Sequence, residues 1–178
     1  MKPVEYRHAV NPDFCQEIIN NFDKCEITYR KKKEYSFKEI SMIENEHMSK
    51  LMEGLVRKAD YFTTLFKSQN NLKVFPDRYG YEAVRVKRYD AADQDEFPWH
   101  ADVMDWQSAK RFLVCMFYLN DNFIGGETDF GSEEKINYII TPEQGKIVLF
   151  TPFWDNPHRG RKVISGSKYI ANVYLHLL

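Results

Sequence analysis

The stretch RFLVCMFYLNDN, residues 111–122, packs Leu, Val, Met, Phe and Tyr into one short run and stops it at Asn120-Asp121-Asn122. A run of this kind bounded by turn residues reads as a β-strand running into a loop. Working outward, the same grammar repeats after Pro76. Tyr81–Tyr89, Glu127–Phe130, Lys135–Thr141, Lys146–Phe150 and Lys168–Leu177 are further runs rich in Val, Ile, Tyr and Phe. Gly125-Gly126, Pro142-Glu143-Gln144-Gly145 and Ser165-Gly166-Ser167 punctuate them. Strands at this spacing predict an antiparallel sandwich or barrel.

Residues 1–75 read differently, as mostly helical support. Asn11-Pro12-Asp13 supplies an N-cap with proline at the first helical position, and Phe14, Ile18, Ile19 and Phe22 follow at helical spacing. A longer helix is expected from near Glu44, with Met48, Leu51, Met52, Leu55, Ala59, Phe62 and Phe66 as its apolar stripe. Helices first and strands afterwards make the class α+β, with a mainly β core over residues 78–178. A length of 178 residues suits one domain, 1–178. The basic run YRKKKEY, Tyr29–Tyr35, reads as a solvated loop or strand edge.

Composition narrows the function classes. Lys plus Arg number 25 against 26 acidic residues, a net charge of -1, so no global basic field exists to gather nucleic acid or an anionic membrane. Neither is expected as a partner. With 43% apolar and 15% aromatic residues the chain is that of a folded protein, not a disordered one. Its three cysteines form no CxxC pair and read as reduced thiols. MKPVEYRHAVNPDFC lacks the apolar core of a secretion signal, and no stretch approaches the ~18 apolar residues of a membrane span. A cytoplasmic location is the expectation.

FPWHADVMDW, residues 97–106, places His100 and Asp102 two apart. On a strand such side chains share a face, with Ala101 turned away. They are either an ordinary polar pair or two ligands of one metal ion. Among the five histidines, His8 lies near the N-terminus, His47 at the start of the long helix and His176 in the last strand. His158, after Trp154-Asp155-Asn156-Pro157 and before the final strand, is the candidate third ligand. Two histidines and a carboxylate on one face are the donor set of non-haem Fe(II) oxygenases. A cosubstrate such as 2-oxoglutarate would further need a buried cation for its distal carboxylate. Lys168 is the candidate, against the alternative of a solvated strand end beside Gly166.

From Val84 to Tyr174 the chain resembles the prolyl 4-hydroxylase-like branch of the 2-oxoglutarate/Fe(II) dioxygenases. The matching pieces, in order, are VRVKRY, HAD, RFLVCMFYLND, GGETDF, GKIVLF, NPH and GSKYIANVY. The resemblance implies a double-stranded β-helix, jelly-roll and cupin-like, braced by N-terminal helices. It makes His100, Asp102 and His158 the iron ligands and Lys168 the partner of the 2-oxoglutarate C5 carboxylate. Tyr118 would help hold that carboxylate, Tyr89 would line the cosubstrate pocket, and Arg111 would stand near the substrate entrance. Fe(II), 2-oxoglutarate and O2 are the implied cofactor and cosubstrates, with ascorbate in support.

The implied reaction is hydroxylation of an aliphatic C–H, with release of succinate and CO2. Retention of Asp102 favours this over the halogenation run by relatives with a small residue there. A peptidyl proline, and hence a peptide or protein substrate, is the leading expectation. A free amino acid or other small molecule, or a non-catalytic jelly-roll binding module, is the alternative. A zinc hydrolase on the same three ligands would leave Lys168 unexplained and has no clearly placed general base. Trp106 and Trp154 are either walls of a substrate groove or core, and Arg161 with Arg159 and Lys162 either greets an acidic peptide or forms a solvated rim. Tyr174, on the same strand face as Lys168, is expected at the pocket floor. One feature resists: strand parity puts Arg85 and Lys87 on the face of Tyr89, which sends two further cations towards the pocket unless a bulge intervenes.

Overall fold

The computed structural model describes residues 1–31 and 35–178; Lys32, Lys33 and Glu34, the middle of the basic run, lie outside them. The N-terminal part contains β1 (Val4–Tyr6), α1 (Pro12–Phe22), β2 (Thr28–Lys31), β3 (Ser36–Ser41) and α2 (Ser49–Gln69). There follow β4 (Tyr79–Tyr81), β5 (Arg85–Asp90), β6 (Phe97–His100), β7 (Arg111–Tyr118), β8 (Ile124–Gly125) and β9 (Thr128–Gly131). The chain closes with β10 (Ile136–Ile140), β11 (Ile147–Phe150), β12 (His158–Gly160), β13 (Val163–Ser165) and β14 (Ser167–Leu177). A large antiparallel sheet in the order β1-β11-β7-β14-β5-β3-β2, with β4 added to the end of β14, faces a small sheet β10-β9-β12-β6. This is the double-stranded β-helix. No helix among the described residues is long and apolar enough to cross a membrane.

Alternation along the large-sheet strands divides the interior into two layers. Leu113, Cys115 and Phe117 of β7, Ile147 and Leu149 of β11 and Ala171, Val173 and Leu175 of β14 all pack towards the helices. Their neighbours Val114, Met116, Tyr118, Val148, Phe150, Ile170 and Tyr174 face the small sheet. α2 covers the first layer with Leu51, Leu55, Ala59, Phe62, Thr63 and Phe66, a single stripe. α1 adds Cys15, Ile18 and Phe22, and its N-terminus is capped by Asn11 Oδ1, which accepts from Asp13 N at 2.7 Å. Each large apolar side chain so buried contributes roughly 1.5–3 kcal/mol. The helices therefore brace the back of the sheet that carries the pocket on its front.

Four expectations are corrected. Among the described residues of 1–75 three strands accompany the helices: β1 and β2 are short, and β3 disguises its alternation because Glu39 occupies an inward position, where Arg85 neutralises it at 3.0 Å. The long helix begins at Ser49, since Asn45 is extended (φ -126, ψ 101) and divides the preceding residues into two 3-10 turns. The run Tyr81–Tyr89 is two strands, β4 and β5, which pair with the two ends of β14, while Glu82 between them turns aside to Arg111. The strand bearing His100 ends there, so Ala101 and Asp102 lie beyond it. Asp102 N and Val103 N instead both donate to Pro152 O, at 3.0 and 3.1 Å, tying this loop to the one before His158.

Candidate metal centre

Two small-sheet strands bring the histidines together. β12 pairs with β6 so that His158 stands directly opposite His100, with ring centroids 4.3 Å apart. Asp102 comes from the loop just after β6, and its carboxylate lies 3.8 Å from His100 Nε2 and 3.5 Å from His158 Nε2. One donor atom from each of the three falls within 4.8 Å of the others, close enough to share one ion. Backbone carbonyls orient both rings: His100 Nδ1 donates to Pro98 O at 2.8 Å, and His158 Nδ1 faces Asn156 O at 3.5 Å. A carbonyl only accepts, so each Nδ1 carries the proton and each Nε2 presents its lone pair inward.

The electrostatics suit a cation. Burial pushes His100 down to about 3, reinforced by the neighbouring His158, and burial likewise lowers His158. Both imidazoles are therefore neutral donors. Burial alone would raise the Asp102 carboxyl, but the positive charge that His158, His100 and Lys87 can carry beside it, together with the Tyr174 hydroxyl, holds it below the ordinary carboxylate range. Tyr174 donates its hydroxyl to Asp102 Oδ1 at 3.0 Å, whereas Asp102 Oδ2 is buried without a hydrogen-bond partner. An orphaned, ionised oxygen beside two neutral Nε2 atoms fits a divalent metal. Asn172 Oδ1, also orphaned, lines the same cavity.

Behind the triad lies a narrow recess between the sheets, lined by Lys87, Tyr89, Met116, Thr128, Lys168 and Asn172. Lys168, 3% exposed, reaches into it from β14 and donates to Gly126 O at 2.6 Å. Its ammonium lies 5.5 Å from the Tyr89 ring centre and 5.4 Å from that of Tyr118. Tyr118 and Thr128 share a hydroxyl–hydroxyl hydrogen bond of 2.6 Å. Burial lowers Lys168 to about 7, partly opposed by Glu127, so the ammonium has no adequate counter-charge. The alternative of a solvated strand end is excluded by its burial.

The remaining candidates divide. Arg111 is engaged: its Nε and Nη2 donate to the two Glu82 carboxylate oxygens at 2.7 and 2.8 Å, and its Nη1 to the Asp102 carbonyl at 3.0 Å. Its guanidinium also stacks 4.2 Å from the Tyr174 ring centre. It thus steadies the Asp102 loop. Arg161 and Arg159 both bind Asp129 Oδ2, at 2.9 and 2.8 Å, outside the recess. Trp106 and Trp154 are not core: they are 88% and 81% exposed, on the two loops that Pro152 ties together.

Several pocket residues escaped sequence reading. Thr128, Met116 and Ile170 line the recess, as does Asn172, which strand parity from Lys168 could have found. The cation conflict on β5 resolves without a bulge. Lys87 does point into the recess and is buried, while Arg85 reaches Glu39 nearer the sheet edge.

Two neutral imidazoles and a carboxylate facing one recess, inside a double-stranded β-helix, are the arrangement of a mononuclear non-haem iron oxygenase. The chain belongs to the 2OG-Fe(II) oxygenase superfamily, whose family model matches residues 84–176. It is prolyl 4-hydroxylase-like within that superfamily. A putative prolyl 4-hydroxylase of Acanthamoeba polyphaga mimivirus is 27% identical over 191 residues, covering 97% of this chain and 73% of that protein. The 2-oxoglutarate and iron-dependent oxygenase domain-containing protein 3 of Rattus norvegicus is 29% identical over 92 residues, 50% of this chain but 29% of its own length. Among solved structures, the viral collagen prolyl hydroxylase of Paramecium Bursaria Chlorella virus-1 superposes with a TM-score of 0.73 at 23% identity, covering 100% of this chain and 97% of the other. A Trichoplax adhaerens prolyl hydroxylase, solved with a hypoxia inducible factor peptide fragment, gives 0.77 at 16% identity over 98% and 83% of the two chains. At these identities the structures share the fold. Family membership implies Fe(II), 2-oxoglutarate and O2.

Proposed function

We propose that the chain is a single catalytic domain that hydroxylates a peptidyl proline, with 2-oxoglutarate converted to succinate and CO2. The observation that carries this reading is the convergence of His100, Asp102 and His158 on the mouth of a recess whose far wall holds the buried Lys168. His100 Nε2, His158 Nε2 and Asp102 Oδ2 would hold Fe(II), which with its cosubstrates supplies an oxidant able to break an aliphatic C–H bond. Lys168, beside Tyr118 and Thr128, receives the distal carboxylate of 2-oxoglutarate, and Tyr89 walls the space between. Tyr174 and Arg111 fix the Asp102 carboxylate and its carbonyl, so one oxygen stays directed at the ion. Phe130 and Phe150 pack on the His158 ring and keep water from that side.

A peptide rather than a fully enclosed molecule is supported by the rim. Trp106, Trp154 and Met104, 75% exposed, project from the loops bordering Asp102 and His158. Exposed aromatics in such a position are typical anchors for a chain laid across a surface. Relatives named as prolyl hydroxylases point the same way. The test is a peptide-array screen with Fe(II), 2-oxoglutarate and ascorbate, read as a mass gain of about 16 Da, one oxygen atom, together with succinate. Proline-containing peptides should gain the mass in step with succinate. Turnover of free amino acids alone would replace the substrate assignment, and failure to bind both metal and 2-oxoglutarate would remove the enzyme reading.

A further inference from the structure

Lys87 is an inward charge that the function above leaves unused. It is 7% exposed and lines the same recess as the triad and Lys168. Its cross-strand neighbour is Glu39, yet that carboxylate is taken by Arg85 Nη1 at 3.0 Å and Arg30 Nε at 3.4 Å. Among the described residues, no carboxylate or carbonyl reaches the Lys87 ammonium. It meets only ring faces, Phe37 at 4.8 Å and Phe97 at 5.3 Å from their centres. Such contacts return less than the burial of an ion costs. The charge is incomplete without a ligand.

Its place relative to Lys168 indicates which ligand. β14 and β5 pair with Lys168 opposite Tyr89 and Ile170 opposite Lys87. The two lysines therefore stem from rows two strand residues apart, about 7 Å, on one face of one sheet. An extended five-carbon diacid carries its carboxylate carbons four C–C bonds apart, roughly 5 Å. Lys168 lies at the far wall and Lys87 on the row towards the triad. With a divalent ion held by the triad, the protonated lysines would outweigh the single carboxylate of Asp102 that lines the recess, and a dianion would both favour their charged forms and offset them.

We propose that Lys87 is a second carboxylate anchor, holding the metal-proximal carboxylate of 2-oxoglutarate while Lys168 holds the distal one. The recess is thereby a two-ended gauge for a five-carbon 2-oxo diacid. This rests on the cosubstrate site proposed above.

The experiment is calorimetric titration of Mn(II)-loaded wild type, Lys87→Met and Lys168→Met, in the absence of turnover, with 2-oxoglutarate and with pyruvate. Pyruvate keeps the 2-oxo acid end and lacks the distal carboxylate. Lys87→Met should weaken both ligands by about tenfold or more, the scale of one charge-assisted hydrogen bond. Lys168→Met should weaken 2-oxoglutarate and leave pyruvate unchanged. Thermal unfolding of each variant, and Lys87→Arg as a charge-retaining partner that should recover part of the affinity, separate lost binding from lost fold. If Lys87→Met binds both ligands like wild type while Lys168→Met loses 2-oxoglutarate, the inference on Lys87 falls and the cosubstrate site stands. If Lys87→Met retains both but loses affinity for free proline, the anchor serves the substrate and the inference also falls. If wild type binds no 2-oxoglutarate, both fall.

Discussion

Lys168→Met should make the protein more stable and stop it binding 2-oxoglutarate. In the structure, burial lowers the Lys168 ammonium from the ordinary 10.5 to about 7. At ~1.4 kcal/mol per pH unit, burying this charge costs roughly 5 kcal/mol. Methionine has a similar length and no charge. It loses the hydrogen bond to Gly126 O, so the net gain at pH 7 should be smaller, about 1–3 kcal/mol, or several degrees in Tm. Linkage supplies a second signature. Between about 7 and 10.5 the unfolded chain binds a proton at this side chain that the folded chain does not. Stability of the wild type therefore rises with pH across that window, and the variant loses that contribution. Urea unfolding at intervals from about pH 7.5 to 9.5 measures the slope, and calorimetry measures the ligand. A variant less stable than wild type at pH 7, with the same slope and undiminished 2-oxoglutarate affinity, would refute the reasoning.

Other outcomes follow from the same geometry. Asp102→Ala should reduce Co(II) affinity at least ~100-fold, read from the visible spectrum, because the remaining ligands are two neutral imidazoles. Since burial holds His100 at about 3 and also lowers His158, protons should not compete for the metal between pH 8 and about 6. A tenfold loss of Co(II) affinity across that interval would contradict the assigned neutral state. Trp106→Ala and Trp154→Ala should leave 2-oxoglutarate affinity unchanged and raise the peptide KM by about tenfold, the size of a modest anchor. Phe66→Ala, in the layer behind the pocket, should cost ~3–5 kcal/mol of stability in a denaturant titration.

What the sequence disclosed follows the strength of the local pattern. β7 and β14 are long, alternate between two buried faces, and were legible nearly to the residue. β3 was not, because Glu39 stands where an apolar residue belongs and only its pairing with Arg85 makes the position tolerable. Spacing and elimination put forward His100, Asp102 and His158, and the structure brings a donor atom of each within 4.8 Å of the others. The reason first given for the His100–Asp102 pair was incomplete: a loop anchored on Pro152 O, rather than a continuing strand, delivers Asp102. Lys87 showed itself as a conflict in strand parity, and discounting it by a bulge would have hidden a pocket residue. Thr128 and the engagement of Arg111 with Glu82 depend on chain segments far apart in sequence, which no local pattern encodes.

β14 has a bearing on how such a protein can diversify. It is the longest strand, hydrogen-bonded along both edges, and it carries Lys168, Ile170, Asn172 and Tyr174 on one face. Inserting or deleting one residue within it would turn Tyr169, Ala171 and Val173 to the recess and drive the lysine into the helix-packed layer. Changes in this strand are therefore confined to substitutions in place. The two loops joined at Pro152, with Trp106 and Trp154 at their tips, carry no such reading frame. If the rim receives the substrate as proposed, new substrates would be acquired there, by lengthening or exchanging rim residues, while the recess stays indexed to a strand that cannot slip.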